Sequence, residues 1–255
     1  MLRSRRRNRA GSELSEGAAV RLPLLHSWML KGLKNSMSAL LKLSPVVTKP
    51  RLSVRGAATF IRLPAVEQMR LLHDQKYPRQ APQVFKQPYY APPLKGIREF
   101  LERGTPGLLD ARAQLQGLRI PSRRMHCMRV LESFVQSEHA NRGLKPVAIP
   151  RLYAHMRGLE LRLSPDLVAQ EGNEDRYMYF NASAKQFDPE TARLTLEFAH
   201  WLLRENGIEI KPKQVEFIDL FTGVLYPGRA PRKSTLRNLD ENARLIESMW
   251  PTIDP

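Results

Sequence analysis

RYMYFNASAKQFDPETARLTLEFAHWLLRENGIEIKPKQVEFIDLF, residues 176–221, decides the fold class. Its centre is a helix with both ends marked: Asp188 as cap, Pro189 at the first position and Gly207 as terminator. Ala192, Leu196, Ala199 and Leu203 run along one line, with Thr195, Phe198 and Leu202 beside it. Before the helix, Arg176–Phe180 alternates as a strand does. After it, Ile208–Ile210 and Val215–Phe221 are strand candidates, although the apolar run of the second is short enough to suit a brief helix.

Working outward, Leu159, Leu161 and Leu163 alternate with Glu160 and Arg162, the pattern of a half-buried strand. Ser122 is expected to cap a helix from about residue 122 to 141, with Cys127, Leu131, Phe134 and Val135 as its apolar stripe and Gly143 as its end. Residues 151–158 read as a further helical turn. Ser234 is expected to cap a last helix bearing Leu236, Leu239, Ala243 and Ile246, which Pro251 stops. Residues 120–255 thus form a compact α+β domain.

Residues 59–119 read differently. Short helices are expected over 64–75, around Leu94–Leu101 and over 108–115, closed in turn by Gly104 and Gly117. Between the first two lies KYPRQAPQVFKQPYYAPPLK, residues 76–95, with five prolines, four cations, four aromatics and no acid. Proline at this density removes backbone donors and favours extended geometry, so the segment is expected to be an arm.

Charge is graded along the chain. Residues 1–60 hold twelve Lys/Arg and two acids, 61–150 fifteen and seven, and 151–255 fourteen and sixteen. The acid-poor, Ser-containing segment 1–58, ending in Arg55-Gly56-Ala57-Ala58, reads as a mitochondrial transit peptide. Pro23, His26, Lys31 and Gly32 interrupt Leu22–Leu33, which rules out a secretory core, and no window offers the roughly twenty apolar residues of a membrane span. Cys127 is the only cysteine, so no internal disulfide and no cysteine-rich zinc site can form.

The search for chemistry returns little. The six histidines include no pair flanking a Glu in the metalloprotease pattern, and neither a dinucleotide glycine fingerprint, a phosphate-binding loop nor a nucleophile elbow is present. His126 beside Cys127 invites a thiolate, but adjacent helical positions diverge by about 100°, so Cys127 is better read as core and His126 as a solvated neighbour. Asp188 and Glu190 are explained by their place at a helix start. No catalytic residue, metal ligand or cofactor is implied.

Three places suit a polyanion. In the arm, Lys76, Arg79, Lys86 and Lys95 interleave with Tyr89 and Tyr90, a mixture fitted to phosphates and exposed bases. Arg123 and Arg124 stand at a helix start. Arg229, Arg232 and Lys233 form a basic loop. With its presequence, proline-rich basic extension, small mixed core and no active-site signature, the chain resembles lineage-specific proteins of mitochondrial ribosomes. That resemblance is one of architecture and composition and carries over no functional residue. It implies a structural ribosomal component touching rRNA and neighbouring proteins in the mitochondrial matrix. The alternatives are a peripheral accessory or assembly subunit of a respiratory complex on the matrix face of the inner membrane, and a matrix enzyme whose pocket would lie near Asp175–Tyr179.

Overall fold

The computed structural model describes residues 46–78, 89–185 and 187–254. In chain order the elements are β1 (Arg51–Ser53), α1 (Val54–Arg62), α2 (Ala65–Lys76), α3 (Ala91–Arg103), α4 (Thr105–Gln116), α5 (Pro121–Gln136), β2 (Lys145–Pro146), β3 (Tyr153–Met156), β4 (Leu159–Arg162), β5 (Leu167–Glu171), β6 (Glu174–Asn181), α6 (Pro189–Glu205), β7 (Val215–Asp219), β8 (Leu225–Pro227) and α7 (Lys233–Met249). The protein is α+β. A five-stranded sheet runs β2-β5-β6-β7-β8, antiparallel except for β6 and β7, which lie parallel and are joined through α6. A smaller sheet has the order β1-β4-β3.

Period-two alternation assigns the two faces of the large sheet. Val168, Tyr177, Tyr179, Val215 and Phe217 share a core with α1, α6, α7 and the small sheet. Leu167, Ala169, Met178, Phe180 and Ile218 pack with Ile97, Leu108, Ala111, Leu115 and Phe134 from α3, α4 and α5. Helices therefore cover both faces, which is why Tyr177–Phe180 of β6 is one unbroken buried run.

The marked helix forms as expected. Asp188 accepts hydrogen bonds from the Glu190 and Thr191 amides, and Gly207, at φ 74°, closes the far end. The amide of Ile208 donates to the Leu203 carbonyl and that of Gly207 to Arg204, a left-handed helix stop. That use of Ile208 explains a correction: residues 208–210 are irregular rather than a strand and lead directly into the 3-10 turn Pro212–Gln214. Val215–Phe221 resolves as strand β7 followed by a turn.

Other expectations shift at their edges. Pro121 and not Ser122 opens α5, because its fixed φ suits the first helical position. The helix stops at Gln136, and a separate 3-10 turn covers Glu138–Asn141 before Gly143. Ser234 does not cap α7 but lies in its first turn; the cap is Arg232, two residues earlier, and makes no side-chain bond. Residues 153–156 form strand β3 and not a helical turn, since Tyr153–Met156 pairs residue by residue with β4. Arg157, at φ 52°, turns the connection between them.

The largest correction concerns residues 46–58, expected to belong to a removable leader. They are core. β1 pairs in parallel with β4 through Arg51↔Glu160 and Leu52↔Leu161, Ser53 caps α1 through the Gly56 amide, and Val54, Ala57, Ala58 and Phe60 are buried. Arg55 bonds Asp166 and lies over the rings of Tyr179 and Phe217 at 5.2 and 5.5 Å. Residues 1–45 lie outside the described residues, as do Arg79 and Lys86 of the arm. One compact unit spans 45–255, so the expected boundary at 119/120 falls inside a shared core. Residues 91–95, expected to be extended, open α3 with Pro92 and Pro93 in its first turn, where amides have no intrahelical acceptor to lose.

A network of partly buried ionic groups, centred on the buried Glu216, stabilises one flank of the large sheet. Arg142 donates pairs of hydrogen bonds to Glu171 (2.8 and 2.9 Å) and Glu216 (2.7 and 2.9 Å), and Arg176 pairs with Glu171 and Glu174. Two buried histidines add a pH dependence. Burial lowers the pKa of both His139 and His200 from the ordinary 6.5. The unfolded chain then binds more protons, so their contribution is complete above pH 6.5 and is lost as pH falls through the lower folded values. The thermal midpoint is expected to fall between about pH 7.5 and 5.5, and His139→Leu should flatten that slope.

Candidate nucleic-acid interface

The richest cation and aromatic cluster is built on α5. Its apolar side, Cys127, Val130, Leu131 and Phe134, is buried. Another stripe, at three- and four-residue spacing, carries Arg123, His126, Arg129, Ser133 and Gln136. Tyr89 and Tyr90 reach the front of this stripe just before α3 begins. The Arg123 guanidinium lies 5.2 Å from the Tyr89 ring centre and donates to the Tyr89 carbonyl at 3.4 Å. Tyr89 and Tyr90 meet edge-on at 5.1 Å, and His126 is 5.8 and 5.6 Å from them. Phe221 continues the row, 5.6 Å from His126, with Arg129 5.0 Å over its ring.

The loops that follow β6 and β7 hold this row in place. Asp219, fully buried, accepts hydrogen bonds from the amides of Phe221 (2.9 Å) and Thr222 (3.1 Å) and from Asn181 Nδ2 (2.9 Å). Asn181 also bonds Ser183 and Lys185 in the loop after β6. His126 Nε2 lies 2.9 Å from the Ala182 carbonyl, which can only accept, so that nitrogen carries the proton. The cluster therefore sits at the carboxyl ends of the parallel strand pair, the place where open α/β sheets present their ligands.

Several cations on and just before α5 stand outside ion pairs. Among the described residues, Arg119, Arg124 and Arg129 form no ion pair, although Arg124 Nη1 reaches the Gln116 carbonyl at 3.5 Å. Ile120 and Met125 beside them are exposed. Cys127 lies beneath, with its pKa raised by burial, which keeps it a thiol rather than a nucleophilic thiolate.

The expected binding residues divide accordingly. Tyr89, Tyr90 and Arg123 come together on this face, whereas Arg124, about 100° further round the helix, turns to the Gln116 carbonyl at the end of α4. Lys76 does not join them: its ammonium donates to the carbonyls of Trp250 (2.8 Å) and Ile253 (2.7 Å) and so clamps internal structure. Lys95 faces Glu99 and Gln114. Arg229 and Lys233 are exposed and Arg232 with them is at the surface, but Arg229 lines a separate groove of about 480 Å³ with Asp188, Glu190 and Arg193, a mixed-charge surface. His126, expected to be solvated, is half-buried among rings. His126, Arg129 and Phe221 complete the site without having been expected in it, although the three-residue spacing of Arg123, His126 and Arg129 was available as a signal.

The stretch suggested for an enzyme pocket lies beside a cavity lined in part by Glu174, Asp175, Tyr177 and Gln214. Lys211 holds the Glu174 carboxyl below its usual range, and burial pushes the Tyr177 phenol up. Neither shift creates a base poised near neutrality. Among the described residues no cluster of metal-ligating side chains occurs, and no helix is long and apolar enough to cross a membrane. Comparison with protein-family models, curated proteins and solved structures finds no match.

Proposed function

We propose that the protein is a non-catalytic, RNA-contacting structural subunit of a ribonucleoprotein particle, and that the particle is the mitochondrial ribosome. The observation that carries this reading is the α5 face, where Arg129, without an acidic partner among the described residues, lies over Phe221 in the row that His126, Tyr89 and Tyr90 continue, and where Arg119 and Arg124 near the start of the helix likewise form no ion pair. Such a surface offers phosphate contacts and ring faces to RNA. The charge distribution supports it as well. From residue 46 onward the chain retains 32 Lys/Arg against 23 acids, so the folded unit remains basic without the leader. The mitochondrial address is assigned to the part of the expected leader that precedes residue 46, which holds nine Lys/Arg against two acids.

Matrix ribosomes separated on a sucrose gradient at low salt should carry the protein, and RNase should release it. Purified protein should bind RNA with a steep salt dependence. Arg124→Gln together with Arg129→Gln should reduce the slope by about 0.7 for each phosphate that is no longer neutralised. Absence from ribosomes at low salt, or RNase-resistant association with a respiratory complex, overturns the proposal.

A further inference from the structure

The stripe on α5 does not end at Phe221. Past that ring lies a cavity of about 270 Å³, lined by Ser133, Gln136, His139, Phe221, Thr222 and Gly223 among others. At about 30 Å³ of liquid per water molecule it exceeds the room of a single bridging water, and it falls just short of the ~300 Å³ at which pockets for drug-sized ligands begin. Its lining is polar on several sides: a hydroxyl from Ser133, an amide from Gln136, a hydroxyl from Thr222 and the imidazole of His139. His139 is 1% exposed, yet neither ring nitrogen has a hydrogen-bond partner. A buried polar group without a partner calls for an explanation.

We infer that this cavity receives one unpaired nucleobase of the bound RNA, with its backbone tracking past Arg129 toward Arg123. The inference rests on the RNA-binding reading and narrows it to unpaired nucleotides. Three features converge on it. Phe221 is shared, since it touches His126 and Arg129 on the cation and aromatic side and also lines the cavity. The mixture of donors and acceptors suits the edge of a base and not an apolar side chain or a bare anion. A base stacked in duplex RNA cannot reach such a recess without unpairing, so the site discriminates by strandedness.

The test uses the full chain with short fluorescent single-stranded oligoribonucleotides and a fully paired RNA duplex of equal length. Ser133→Phe, which fills the cavity, and Gln136→Leu, on an exposed position, should each weaken single-strand binding about tenfold, the scale of losing one stacked base. Duplex binding and the thermal midpoint should stay unchanged. Where Ser133→Phe fails to fold, Gln136→Leu supplies the same readout. Unchanged single-strand affinity in a folded variant, or equal loss for both RNAs, overturns the inference while the broader reading stands. A wild-type protein that binds neither RNA at low salt overturns both.

Discussion

A chain that starts at Thr59 should fail to fold, whereas one that starts at Val46 should give a cooperative thermal transition. The shorter chain lacks Leu52, Val54, Ala57 and Ala58, all buried, and loses the β1 ladder on β4. It also leaves Asp166, whose side chain is 16% exposed, without Arg55. Burying a large aliphatic side chain is worth about 1.5–3 kcal/mol, and orphaning one member of a largely buried pair costs about 3–5 kcal/mol. The sum reaches roughly the whole net stability of a domain, about 5–15 kcal/mol. Circular dichroism melts and limited proteolysis of the two chains decide the matter. A folded protein starting at Thr59 would show that β1 and the first turn of α1 are accessory.

Arg142→Met should destabilise the protein by about 3–5 kcal/mol, because Glu216, with a side chain 6% exposed, would be left with only a longer 3.7 Å approach to Arg176. The double variant Arg142→Met/Glu216→Gln should recover part of that loss, since removing both charges avoids an unpaired one. The defect should also depend on pH. Hydrogen bonding to Arg142 is the largest cause holding the Glu171 carboxyl below its usual 4.5. Its contribution is therefore full above pH 4.5 and disappears as pH falls through the lower folded value. Wild type and variant should converge in denaturant midpoint as the solution is acidified through that range. A constant gap down to strongly acidic pH would place the stabilisation elsewhere.

Much of the fold was legible where local signals agreed. The Asp188-Pro189 start, the apolar stripe and Gly207 left α6 little choice, and the Leu159/Leu161 alternation located β4. Residues 51–58 mislead for a physical reason: an acid-free stretch that mixes arginines with small and apolar residues satisfies both an import receptor and a protein core. Only tertiary partners, Asp166 and β4 more than a hundred residues away, separate the two. The site was half legible. Local texture marked Tyr89, Tyr90 and Arg123, but Phe221 joins them through the turn that Asp219 builds after β7. Lys76 shows the converse, a cation in a basic stretch whose ammonium is committed to carbonyls of residues 250 and 253.

The same N-terminal strand and helix set the order of events during synthesis. Trp250 Nε1 donates to the Thr48 carbonyl across a separation of 202 residues, and Lys76 and Tyr77 bond Ile253. Long-range closure of this kind slows folding, because loop entropy is lost before the interactions it permits can form. A nascent chain up to β3 holds Leu52, Val54 and Phe60 with no β4 to dock on, and the seam at Thr48 stays open until residue 250 has been made. Joining the start of the folded unit to its end is thus a late step, open only to a chain that already carries Trp250.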